Sequence, residues 1–371
     1  MRLLVSCIPY DGGRSGISVY IRETVRSLIS QGHELTLLVE PGADAAAIAG
    51  GPVKSVQAPR WTRRPALSML WHLLALPRRM RRRRGDFDGF FLCAANRRVC
   101  RSYPLPTVAT VHDLANFHIP GKYSPLRMLY LARILPFFAK RAQRLVAVSG
   151  ATKADMVRFW HCREEDVTVL YNGLDPTCRE AAGKAPARGS ALLYISRIEH
   201  PGKNHVRLIE AYSRLPRALA QAHPLVLAGA DWKDAGKVHA AAAGSPYSDL
   251  IRFTGFVPDA ELGALWRDAG FYVFPSLFEG FGLSLIEAMA RGVPCACSNN
   301  GSLGEIAGDV AITFDPEDTG DIAAALGRLF AEGGEERAAR VARGLEWIRR
   351  YSWEGHARGV AGLIASGGAG K

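Results

Sequence analysis

The sequence predicts an α/β chain built from two doubly wound units, each a parallel sheet flanked by helices. Three observations predict it. Short apolar runs at 3–8, 107–111 and 271–274 alternate with longer helical stretches, as in βαβ units. The alternation pauses after residue 172 and restarts at Ala191. The chain's 371 residues, 48% hydrophobic and 22% charged, suffice for two cores of ordinary size.

Strand 3–8 opens the chain. Asp11-Gly12-Gly13-Arg14-Ser15-Gly16-Ile17 is a glycine-rich turn. A helix follows to residue 29, Gly32-His33 ends it, and 34–39 is the second strand. The turn does not match G-x-G-x-x-G, so it is no dinucleotide fingerprint. Its amides can still meet a phosphate; a plain turn is the other reading. Residues 60–84 bring Trp61, Leu67, Met69, Leu70, Trp71, Leu73, Leu74 and Leu76 up to Arg78, Arg79 and the run Arg81 to Arg84. Residues 124–144 repeat the theme, with Leu129, Tyr130, Ile134, Phe137 and Phe138 among Arg127, Arg133, Lys140, Arg141 and Arg144. Such pairings suit an anionic membrane surface, where each basic residue adds about 1 kcal/mol. For 124–144 an ordinary core-facing helix is the alternative.

Strand 107–111 carries His112-Asp113 at its carboxyl end, where ligands collect in open α/β sheets. Strand 144–148, a helix from Ser149 and strand 167–171 complete the first half. Residues 176–189, rich in Ala, Gly, Lys and Arg, read as the join between domains. Strand 191–196 then leads into Arg197-Ile198-Glu199-His200-Pro201-Gly202-Lys203-Asn204. Arg197 and Lys203 flank a Pro-Gly turn and are placed for a diphosphate, Arg as a bidentate fork and Lys as a point charge. Further strands fall at 224–228, 251–254, 271–274, 293–298 and 310–313, and helices run on past Trp347 and Trp353.

Within this second half, 278–287 is the most informative stretch. Gly280 and Gly282 lie between strand 271–274 and an apolar helix, so the amides from Gly280 through Phe281 and Gly282 to Leu283 can approach an anion. Glu279 and Glu287 stand eight residues apart, Glu287 two turns into the helix, near one ligand. Carboxylates accept hydrogen bonds from vicinal hydroxyls. The segment therefore offers amides for phosphate and acids for sugar. A lone Glu at such a turn is also an ordinary helix N-terminal charge.

Charge is uneven. Residues 1–172 carry 26 Lys+Arg against 12 Asp+Glu, and 173–371 carry 21 against 23. A basic half joined to a near-neutral half marks one face for an anionic partner. The seven cysteines show no C-x-x-C pair and read as reduced thiols of a cytoplasmic protein, with no zinc site. Residues 1–9 start like a signal, but the apolar run is too short, and no run approaches the roughly 20 apolar residues of a membrane span.

In order and spacing, several motifs resemble the retaining glycosyltransferases of family 4: Gly12-Gly13 through Gly16, His112-Asp113, the Val148-Ser149 helix start, Asn172-Gly173-Leu174-Asp175, Arg197 with Lys203, and Glu279-x7-Glu287. The resemblance covers nearly the whole chain. It implies the GT-B fold, two Rossmann-like domains facing across a cleft. The acceptor-side domain would be 1–172, the nucleotide-sugar domain 173–345, and 346–371 a helical segment packing back on the first. The resemblance also implies roles. Arg197 and Lys203 bind the donor diphosphate and stabilise the leaving group. Glu279 holds the donor sugar, Glu287 the ribose, and the amides from Gly280 to Leu283 the sugar and phosphate. His112 sits by the reacting carbon, and the turn with Gly13, Ser15 and Gly16 closes on the phosphates. No metal or cofactor is expected beyond the nucleotide-sugar co-substrate. Asp86-Phe87-Asp88 has the D-x-D form that metal-dependent glycosyltransferases of the other major fold use, but here it reads as a turn. Arg197 and Lys203 are six apart, where five is commoner in the family, so the loop carries an insertion.

The stretches 196–205 and 110–114 look most like bacterial mannosyltransferases of polysaccharide assembly. That implies GDP-mannose as donor and a glycan or polyprenyl-diphosphate-linked acceptor at the inner membrane face. A UDP- or TDP-sugar is the alternative donor. Other classes are a sugar phosphorylase or hydrolase on the same fold, and a nucleic-acid- or anion-binding Rossmann-like protein drawn to phosphate through Arg78 to Arg84. The last leaves Glu279, Glu287, Arg197 and Lys203 unexplained.

Overall fold

The computed structural model describes residues 1–119, 121, 124–181 and 189–368. Its chain divides into two compact units, Met1–Gly173 with Tyr351–Lys371, and Leu174–Arg350.

The first unit holds a seven-stranded sheet of β1 (Arg2–Ser6), β2 (Glu34–Val39), β3 (Lys54–Gln57), β4 (Gly89–Leu92), β5 (Thr107–Val111), β6 (Arg144–Ala147) and β7 (Val167–Val169). Their order is β3-β2-β1-β4-β5-β6-β7, every pair parallel. The central strands are apolar throughout because both faces are covered: β4 and β5 are buried along their whole length. Helix Gly16–Ser30 starts at Ser15, whose hydroxyl caps the Ser18 amide, and the chain turns back at Gln31 and Gly32. Leu4, Phe90, Trp71, Leu76, Met80, Leu135 and Trp160 share one core.

The C-terminal helix Trp353–Gly368 completes this first unit, packing on helix Gly16–Ser30 and on β4 and β5. The approach is close. A Cβ on Gly173 would overlap the backbone of Trp353, so only glycine fits there. A buried polar chain reinforces the contact. The His356 ring meets the Tyr171 carbonyl at 3.1 Å through Nδ1 and the Tyr20 hydroxyl at 2.8 Å through Nε2. Tyr20 in turn pairs with Thr110 Oγ1 at 2.7 Å.

The second unit holds a six-stranded sheet of β8 (Ala191–Ile195), β9 (Leu225–Ala228), β10 (Ile251–Gly255), β11 (Ala269–Phe274), β12 (Cys295–Ser298) and β13 (Ile312–Phe314). Its order is β10-β9-β8-β11-β12-β13, again all parallel. In each sheet the order reverses beside the strand that opens the unit, between β1 and β4 and between β8 and β11. The loops that leave the carboxyl ends there part to opposite faces and open a ligand crevice.

Two sequence expectations change. Pro176–Ala181 is a helix of the second unit, not linker, and it packs on helix Leu283–Ala290. Residues 182–188 of the expected join lie outside the described residues. The 60–84 segment is mainly a core helix, Pro65–Arg82, that buries Trp71, Leu76 and Met80. Trp61 and Leu70 stay half exposed, as do Leu129, Ile134 and Phe137 of the second basic segment. Arg78, Arg79 and Arg81 to Arg84 are all exposed. The D-x-D turn is a turn: Arg83 pairs with Asp86 at 2.7 Å and Arg2 with Asp88 at 2.8 Å. All seven cysteines are free and buried.

Candidate active site

In the second unit the expected residues sit on the two loops of the switch point. Arg197 and Lys203 follow β8; Glu279 and the glycines follow β11. Lys203 Nζ lies 2.5 Å from Glu279 Oε1, with both side chains about four-fifths buried. Asn204, in the left-handed conformation at φ 60°, anchors the lysine loop. Its side-chain Nδ2 donates to the carbonyls of Pro275 at 3.0 Å and Pro316 at 2.7 Å. The loop after β11 is pinned from the far side. Ser302 Oγ lies 3.0 Å from the carbonyl oxygens of both Glu279 and Phe281 and shares its one proton between them.

Helix Leu283–Ala290 begins immediately after Gly282, which has φ 104°. A side chain there would be strained and would meet Leu303 Cδ2 at 2.7 Å. The first amides of this helix face the crevice end of the unit with the positive end of its dipole. Glu287 is the fifth residue of the helix, one turn in and not two. Burial first, then the Glu287 charge, push the Cys178 thiol up to about 12. Helix Leu283–Ala290 is also tied at its base by Tyr272, whose hydroxyl donates to Ser284 Oγ at 2.7 Å.

Arg197 is engaged separately. Its Nη2 is 3.3 Å from Glu199 Oε2, and its guanidinium carbon lies 5.1 Å from the centre of the Trp232 ring. The two cations that the sequence sets on one turn are thus each held by a different carboxylate, Lys203 by Glu279 and Arg197 by Glu199.

In the first unit His112 follows β5 and is buried. Its Nε2 donates to the Cys93 carbonyl at 2.8 Å, which leaves Nδ1 as the unprotonated nitrogen. Burial lowers its pKa to about 4, against a smaller opposing effect of the Cys93 carbonyl. At neutral pH it is therefore an acceptor without charge. The edge of the Tyr20 ring packs on it, with centroids 4.5 Å apart. The glycine turn after β1 is ordered by Asp11: its Oδ1 accepts from the Arg14 amide at 2.9 Å and from Ser18 Oγ at 2.6 Å. Gly13 has φ 91°, Ser15 is the helix cap, and Gly16 is the first helical residue.

Sequence reasoning missed Asn204, Ser302, Glu199 and Trp232. Asn204 carried a signal, since Asn tolerates the left-handed region after a turn. So did Asn300-Gly301-Ser302, a turn signature after a strand. Nothing local marked Trp232, whose partner lies 35 positions away.

Two family models match the chain: one described as Glycosyltransferase Family 4 over residues 14–177, and one described as Glycosyl transferases group 1 over residues 181–347. O-antigen chain mannosyltransferase B of Escherichia coli is 33% identical over 258 residues, covering 67% of each chain. A glycogen synthase of Mycobacterium tuberculosis is 30% identical over 253 residues, 65% of this chain and 58% of that protein. Among solved structures, Anabaena Alr3699/HepE in complex with UDP-glucose superposes with a TM-score of 0.71 at 17% identity, over 99% of this chain and 100% of that one. At that identity the likeness speaks for the fold.

Proposed function

The chain belongs to glycosyltransferase family 4, and from that premise we propose that it transfers mannose from GDP-mannose, with retention and without a metal, to a glycan or polyprenyl-diphosphate-linked acceptor of bacterial surface polysaccharide synthesis. Hexosyl transfer follows from the family. The donor, the stereochemistry, the metal independence and the acceptor are our reading.

One observation carries it: the Lys203–Glu279 pair beside the start of helix Leu283–Ala290. It sets a cation for phosphate against a carboxylate for hydroxyls, at the switch point of a parallel sheet. In the reaction the bond from the anomeric carbon to the diphosphate oxygen breaks. The acceptor oxygen bonds to the same carbon on the same face, and its proton passes to a leaving phosphate oxygen. Lys203, Arg197 and the helix amides stabilise the charge that develops on the diphosphate. Glu279 releases Lys203 to the phosphate and takes the sugar hydroxyls, and Glu287 takes the ribose. Neutral His112 and the turn of Gly13, Ser15 and Gly16 keep the roles that the family resemblance implies for them. The choice of mannose is favoured by the likeness to an O-antigen mannosyltransferase.

The basic first unit, with Trp61, Leu70, Leu129, Ile134 and Phe137 half exposed, supports peripheral contact with anionic membrane at the cytoplasmic face. Among the described residues no helix is long and apolar enough to cross a membrane.

The test is thermal shift and donor hydrolysis over a panel of nucleotide sugars, with and without EDTA. Selective stabilisation by GDP and GDP-mannose that survives EDTA is the expected result. Stabilisation by UDP species alone moves the donor, a choice that the HepE likeness keeps open. Turnover that needs orthophosphate and no nucleotide sugar would replace the reading with a phosphorylase.

A further inference from the structure

We propose that Trp232 is a positioning residue for Arg197, stacking its guanidinium so that the N–H fork stays open to a diphosphate; this rests on the diphosphate role of Arg197 given above.

The pairing of β8 with β9 does not stop where the strands end. Beyond the sheet the Ser196 amide donates to Ala228, Ile198 to Ala230, Trp232 to Ile198, each at 2.9 Å, and His200 to Lys233 at 3.1 Å. The two loops therefore run on as a ladder past the sheet edge. It fixes the backbones of Arg197 and Trp232 side by side and brings the guanidinium carbon to 5.1 Å from the ring centre.

Trp232 is 60% exposed, so it adds little to the core. An exposed Trp on a fixed loop, under an Arg, restricts a side chain that otherwise carries large rotamer freedom. A guanidinium held over a ring is shielded on the side of the ring, while its donors can point away from it. Glu199 occupies one of them at 3.3 Å. A diphosphate displaces Glu199 from the edge without disturbing the stack. Among the described residues Lys203 has no such aromatic support; it is held by Glu279. The clamp thus has a rigid arm at Arg197 and a releasable arm at Lys203.

The experiment is calorimetric titration of the full chain with GDP, UDP, guanosine and uridine. Trp232→Ala should weaken the bound nucleoside diphosphate about fivefold, the range for an exposed cation–π pair. Trp232→Phe should keep most of the affinity, and the nucleoside alone should bind each variant equally. In an Arg197→Ala background, Trp232→Ala should have no further effect. Equal weakening of diphosphate and nucleoside would make Trp232 a base contact and overturn the inference. So would additive losses in the double variant, or an unchanged Trp232→Ala beside a weakened Arg197→Ala; both leave the role of Arg197 standing. An unchanged Arg197→Ala overturns that role itself, and the positioning inference with it. Far-ultraviolet circular dichroism of each variant confirms that the exposed substitution leaves the fold intact.

Discussion

The first unit builds its closing contact from neutral polar groups and the second sets an ion pair on its ligand loops, although each also buries one carboxylate against an arginine, Glu23 with Arg22 and Glu332 with Arg340. In the first, His72, His112 and His356 are buried with their pKa values lowered to about 3, 4 and 4, in each case chiefly by burial. His72 meets Ser6 Oγ at 3.2 Å, and His356 meets Tyr20. The excess of Lys and Arg lies on exposed positions such as Arg78 and Arg81 to Arg84. In the second unit Lys203 and Glu279 face each other largely away from water. The difference teaches what each unit is built for. A neutral network closes a structure; a buried but paired charge can be exchanged for a ligand's charge.

The largest effect tests the closure. Trp353→Ala removes a side chain 2% exposed and should cost the first unit about 3–5 kcal/mol. Denaturant titration should split into two transitions, with the Leu174–Arg350 unit unmoved. A single shifted transition would merge the two units into one cooperative block.

Next comes the exchangeable pair. Glu279→Gln should lower turnover about 100-fold or more, while stability falls by about 2 kcal/mol at most. Near-normal turnover would remove Glu279 from the chemistry and make the pair structural.

Acid separates the units more gently. A buried His whose folded pKa is depressed is neutral in the fold, so the unfolded chain takes up the proton first. Its stabilising share is complete above the unfolded value near 6.5 and falls as pH drops from there towards 4. With His72, His112, His356 and the less buried His33, also lowered chiefly by burial, the first unit should lose stability with a slope of about three to four protons. The second, with His205 lowered to about 4 and the less buried His200 lowered too, each chiefly by burial, should lose about one to two. Equal slopes in a pH series of the two transitions would contradict the contrast.

The smallest effect concerns the outer charge. Binding to vesicles of phosphatidylglycerol should fall as salt rises and weaken by about 1 kcal/mol for each of Arg78, Arg81 and Arg82 changed to Ala. Binding to duplex DNA with the same salt slope would shift the anionic partner from lipid to nucleic acid.

Much of this contrast was invisible in the sequence, for physical reasons. The strands were legible because a parallel strand covered on both faces must be a continuous apolar run, as 107–111 and 271–274 are. Carboxyl-end positions then placed Arg197, Lys203, Glu279 and His112 beside their loops. The helix Pro176–Ala181 escaped because its short, polar composition matches a linker as well as a helix. Partners escaped because they are set by packing. Tyr20 and His356 are 336 positions apart, and Lys203 and Glu279 are 76 apart. The stretch 60–84 was legible as apolar residues beside arginines, but not as a helix that turns Trp71 and Leu76 inward.

The return of the C-terminal helix to the first unit sets an order of events during synthesis. The ribosome releases the amino end first, and domains ordinarily fold as they emerge. Here the seven strands of the first sheet leave the tunnel well before residues 353–368, which cover helix Gly16–Ser30 and supply the His356 partner of Tyr20. The entire Leu174–Arg350 unit is made in between. Of the two units, the one started earlier is thus finished later. Until residues 353–368 emerge, Tyr20 and its apolar surroundings wait uncovered, available to any chaperone that reads exposed hydrophobic surface.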